Sequence, residues 1–151
     1  MSSRLIALAE AVKDLLNDTN WSQEFTATRT AVPRYEAKGG TLEVAVRPFG
    51  TTYVGRSGRA KVERDYQIDI VIAQRVEIAD NTATDALIDL AEEIAKWFEA
   101  DDDGKWRNIQ ETPLPKAWCV GVESVASAYA WEFAIEDQFV AVRRLTVKCV
   151  E

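Results

Sequence analysis

The 151 residues contain no histidine. That absence removes Ser-His-Asp and Cys-His nucleophilic arrangements and every His-ligated metal site. Only two cysteines occur, Cys119 and Cys149, each flanked by apolar residues. A disulfide between them requires that their two segments pair as strands; otherwise each serves as a small hydrophobe. No run approaches the roughly 18 apolar residues of a membrane span. The first sixteen residues carry Glu10, Lys13 and Asp14 inside their apolar pattern. A signal peptide would keep that stretch uninterrupted, so the expectation is a protein retained in a cytoplasm.

Basic charge is also short. Lysine and arginine number 18 against 25 acidic residues, a net charge of −7. Residues 1–59 hold 8 basic and 6 acidic groups, residues 60–100 hold 4 and 10, and residues 101–151 hold 6 and 9, giving +2, −6 and −3. A reader of duplex DNA normally carries a basic patch or a strongly basic balance. This acidic surface suits solubility, or a lining that DNA passes without sticking.

What is present is strong periodicity. In the stretch 59–76, Tyr66, Ile68, Ile70 and Ile72 alternate with Asp65, Gln67 and Asp69, while Val71 and Ala73 share the second face. Period-two alternation predicts a half-buried strand, here a long central one whose first half projects beyond the sheet. Residues 3–17 repeat Leu5, Leu8, Val12, Leu15 and Leu16 at helical spacing. Asn17 to Asn20 should end that helix, because such side chains compete for backbone hydrogen bonds. Residues 82–99 form a second helix with Leu87, Leu90, Ala91, Ile94, Trp97 and Phe98 on one face.

The remaining strands read less cleanly. Residues 22–33 alternate weakly and end at Pro33, which predicts an edge or projecting position. Leu42, Val44 and Val46 form a strand that Pro48 should close. Residues 119–128 and 138–150 are the last two strands, and Arg143 interrupts the apolar row of the second, so a bulge is expected there.

Residues 49–60 then read as a projecting basic loop at a hairpin tip, with Gly50, Gly55 and Gly58 beside Arg47, Arg56, Arg59 and Lys61. The loop lacks the Gly-Lys-Ser/Thr spacing of a phosphate cradle. It is either a solvated tip or an arm reaching a partner's acidic surface. Asp101-Asp102-Asp103-Gly104 lacks the alternating ligands of a calcium loop. Residues 101–118 read as an extended connector, bracketed near its ends by Trp106 and Trp118, which fold onto the core or anchor a subunit contact.

Together these elements predict one α+β domain over residues 1–151. It has a mostly antiparallel or mixed sheet of about five strands, two helices on one face and long projecting hairpins. The pattern resembles the tail terminator, or tail completion, proteins of long-tailed bacteriophages and the related neck head-tail joining proteins. The likeness is carried by residues 25–33, Leu42 to Pro48, Arg59, Asp65 to Ile70, and Asp85, Leu87, Leu90, Glu93 and Ile94. It covers roughly residues 3–99 and lapses at the connector. It implies a virion structural protein, assembled in the host bacterial cytoplasm and not an enzyme, while the absent histidine and the isolated cysteines lead to the expectation of no cofactor and no metal. That protein would form a homo-oligomeric ring, hexameric in the family, capping the tail tube. Its partners would be the tube protein and a head-side connector or stopper, with DNA passing through the lumen unbound and no membrane. Interface residues on this reading are Arg47, Arg56, Arg59, Lys61, Trp106 and Trp118. The residues by themselves leave a small-ligand or protein-binding module of a bacterial pathway open. An enzyme is disfavoured, since no nucleophile and base stand at a working spacing.

Overall fold

The computed structural model describes residues 4–30, 41–56, 62–76, 81–99, 117–126 and 138–150. Its elements are α1 (Arg4–Asp18), β1 (Ala27–Arg29), β2 (Glu43–Arg56), β3 (Val62–Arg75), α2 (Asn81–Phe98), β4 (Ala117–Ala126) and β5 (Gln138–Val150). The expected order of helix, three strands, helix and two strands holds, and the fold is α+β. The strands form one mixed five-stranded sheet in the order β1-β2-β3-β5-β4. β1 runs parallel to β2, and the other three pairings are antiparallel.

The helices cover one face. Leu8, Val12 and Leu16 of α1 and Leu87, Leu90, Ile94 and Phe98 of α2 pack on Tyr66, Ile68, Ile70 and Ile72 of β3 and on Phe139, Leu145 and Val147 of β5. Their spacing of three and four residues aligns each set along one helical stripe. On the opposite face Val71, Ala73, Val140 and Val142 form a second, smaller buried cluster. β3 is therefore apolar on both faces over its second half, as a central strand must be.

Side chains close the end of α1. Thr19 Oγ1 donates to the Leu15 carbonyl at 2.8 Å. The Asn17 amide bonds Ala27 twice, accepting from its N–H at 2.7 Å and donating to its carbonyl at 3.1 Å. Asn17 thus takes the place of a neighbouring strand on the outer edge of β1. Trp21 Nε1 donates to the Leu16 carbonyl at 2.7 Å, and its ring meets Trp97 edge-on with centroids 5.8 Å apart. This contact joins the end of α1 to α2.

Several expectations are corrected. β1 has three residues rather than the dozen of 22–33. β2 does not close at Pro48 but continues to Arg56, so residues 49–56 of the expected loop are strand. The reason lies in the sheet edge. β1 ends opposite Val46, and beyond it no strand among the described residues pairs with β2 on that side, so the missing N–H of Pro48 breaks no ladder there. β3 does not project beyond the sheet, because it is paired on both sides along its length, from Glu63 opposite Val150 to Arg75 opposite Gln138. β5 runs without a break past Arg143; the irregularity lies in β4, between Ser124 and Ala126. Ala117 and Trp118 belong to β4 and not to a connector. Cys119 faces Val147 and Cys149 faces Ala117, so the cysteines are diagonal neighbours.

Candidate functional site

Register across the face opposite the helices sets Arg47 of β2 beside Asp69 of β3, Arg144 of β5 and Glu123 of β4 in one row of alternating charge. Asp69 is 1% exposed. Arg144 binds it with both arms of its fork, Nε to Oδ1 at 2.8 Å and Nη2 to Oδ2 at 3.1 Å. The apolar cluster begins one row further along, at Val71 and Val142. A carboxylate in such a place must be paired to remain charged.

Phe49 roofs the pair. It lies within the register shift between Pro48 and Gly50, where β2 has one residue more than β3. A bulge re-aims the side chain it carries. The Arg144 guanidinium carbon sits 3.6 Å from the Phe49 ring centroid, and that of Arg47 sits 5.4 Å away. The ring faces two cations, and 42% of the residue remains exposed. Both Asp69 oxygens bind Arg144, and among the described residues Arg47 makes no ion pair and its buried Nε has no hydrogen-bond partner.

The hairpin continues outward from this row. The two fourteen-residue strands are each roughly 45 Å long at 3.3 Å per residue. The eighteen-residue α2 spans roughly 27 Å at 1.5 Å per residue, and α1 less. Neither described helix can cover the whole hairpin. On the outer half of β2, Tyr53 is 60% and Val54 47% exposed. With Phe49 they make up three of the four exposed large hydrophobics among the described residues. The helix-side face carries a separate charge contact, where Arg143 of β5 reaches Glu92 of α2 at 3.9 Å.

Of the six residues expected at an interface, the structure places Arg47 in full. Arg56 stands opposite Val62 at the far end of the hairpin. Trp118 stands opposite Lys148 in β4. Arg59, Lys61 and Trp106 lie outside the described residues, as do the Asp101–Gly104 turn and most of the connector. Asp69, Arg144 and Phe49 were not singled out in the sequence. One signal was available for Asp69, which shares its face with Val71 and Ala73.

An open depression of about 850 Å³ lies elsewhere, lined by Asn17, Trp21, Glu24, Phe25, Thr41 and Leu42 among others. Among the described residues no group of three or more metal-ligating side chains is assembled. No described helix is long and apolar enough to cross a membrane.

Compared with models of known families and with curated proteins, the chain matches none. Among solved structures it is similar to the sheath/tube terminator of PVC, an extracellular contractile injection system, in the extended state. The TM-score is 0.45 at 12% identity, over all of this chain and 57% of the other. At that level the likeness is one of coarse shape, and this chain spans little more than half the length of its neighbour.

Proposed function

We propose that this protein is a structural component of a long-tailed phage virion. It is a tail terminator whose copies form a ring, hexameric as the resemblance implies, that caps the tail tube and joins it to the head-side connector. The observation that carries this reading is the outer half of β2. Phe49, on the face of Arg47, Tyr53, on the other face opposite Arg64, and Val54 are all exposed on a hairpin longer than either helix. Exposed apolar side chains gathered on one arm mark a surface that another protein covers. The sequence resemblance over residues 3–99 supplies the identity of that partner: a second copy, the tube protein or the connector.

On this reading the whole chain acts as one domain, without catalysis or cofactor. Arg47, Arg56, Arg59, Lys61, Trp106 and Trp118 contribute to contacts with neighbours. DNA passes the acidic lumen unbound. The test is molar mass by light scattering together with negative-stain images of the purified protein. The expected result is a ring whose mass is a multiple of 16.9 kDa. A monomer at every concentration, melting higher with a small ligand held near Trp21 and Phe25, would replace this reading with that of a ligand-binding module.

A further inference from the structure

We propose that Arg47 is the receptor for a carboxylate of a second copy of this chain, supplied by the outer stripe of α2. This deepens the ring reading and rests on it. Arg47 is the cation left over in its row. Asp69 gives both oxygens to Arg144, and the next carboxylate of the row, Glu123, lies three strands away, roughly 14 Å at about 4.8 Å per strand. The Arg47 Nε is buried without a hydrogen-bond partner. That nitrogen is closed to an incoming group, so a second copy's carboxylate would meet the outer guanidinium nitrogens of this half-buried side chain. Phe49 lies beside it, half exposed, and would be covered by the same contact.

The complementary surface is on the other side of the molecule. Asp85, Asp89 and Glu92 are exposed on α2, spaced four and three residues apart, while Leu87, Leu90, Ala91 and Ile94 face the sheet. Spacing of three and four residues brings the three carboxylates onto one stripe. Asp85 and Asp89 make no ion pair among the described residues, whereas Glu92 is 3.9 Å from Arg143. Arg47 belongs to the face the helices leave uncovered, while Asp85 and Asp89 lie on the exposed side of α2 and Glu92 turns to Arg143 of β5. Two patches on opposite sides cannot meet in a two-fold dimer, in which one patch meets itself. They meet head to tail, a contact that repeats from copy to copy and closes into a ring where the rotation between copies allows, as the ring reading requires, and otherwise builds an open filament. Phe49 then sits next to the ion pair and excludes water from it.

The experiment is a charge exchange followed by sedimentation velocity of the full chain. Arg47→Glu alone and Asp85→Arg with Asp89→Arg should each weaken association by on the order of tenfold or more. The combined variant should regain most of it, because each interface again joins opposite charges. Melting temperatures keep folding apart from assembly. Since Arg47 is half-buried, Arg47→Gln serves as a second variant should Arg47→Glu fold poorly. If wild-type protein forms rings and the single variants form them equally well, this contact is wrong and the ring reading stands. If Arg47 variants lose association and the exchange does not restore it, α2 is not the partner surface. If wild-type protein is monomeric throughout, the ring reading fails, and this contact with it.

Discussion

Asp69 and Arg144 meet across β3 and β5 through two parallel hydrogen bonds, 75 positions apart in the chain, with the Asp69 side chain 2% and the Arg144 side chain 16% exposed. They terminate the apolar half of the face that the helices leave uncovered. A slip of one residue between β3 and β5 would set Arg144 against Ile68 or Ile70 and move every apolar side chain to the wrong face. The pair therefore marks one register among the alternatives.

Removing one member strands the other. Arg144→Ala should cost roughly 3–5 kcal/mol in urea unfolding, because a buried carboxylate is left uncompensated. Replacing both, Asp69→Leu with Arg144→Met, should cost less than either single truncation, since no charge remains buried. A double variant as unstable as the sum of the singles would show that the residues do not act as a pair.

Ile70 is fully buried between the helices and the centre of the sheet. Ile70→Ala should lower stability by roughly 2–5 kcal/mol. A loss below about half a kcal/mol in denaturant melts would contradict a central position for β3.

Tyr53 and Val54 are covered by nothing that would make truncation costly to folding. Tyr53→Ser with Val54→Ser should change unfolding free energy by no more than about 0.5 kcal/mol each, the ordinary surface range. The same variant should lower the molar mass measured by light scattering at a given concentration. Unchanged association would remove the arm from the interface.

Glu10 holds Lys13 and Arg29 on the outside of α1, and hydrogen bonds from these two cations lower its carboxyl below the ordinary value. A group depressed in the folded state adds stability above its unfolded value of about 4.5, and that contribution is lost as pH falls through the folded value. Glu10 is partly exposed, so the contribution is small. In urea midpoints, wild type and Glu10→Gln should differ at pH 7 and converge as pH falls below about 4.5. A difference that persists at pH 3 would show that Glu10 acts through packing instead of charge.

The sequence by itself determined the elements whose signal is local. Period two in Tyr66 to Ile72 and periods of three and four in the two helices need no knowledge of neighbours, because backbone geometry imposes them. Element order, the two helix faces and the limits of β5 all followed. Long-range pairing was decided only in the tertiary structure. Pro48 ends a strand that is flanked on both sides, and only the arrest of β1 at Arg29 shows that no described strand pairs with β2 there. The three-residue β1 depends on Asn17 closing its outer edge, a side-chain contact no alternation encodes. The extra residue at Phe49 sets Tyr53 opposite Arg64 instead of on the face of Arg47, so strict alternation misassigns the outer half of the hairpin. Arg143 and Arg144 look alike as neighbours in a chain. They differ because the pleat sends one toward Glu92 of α2 and the other toward Asp69, and which acid waits on each face is a property of the folded sheet.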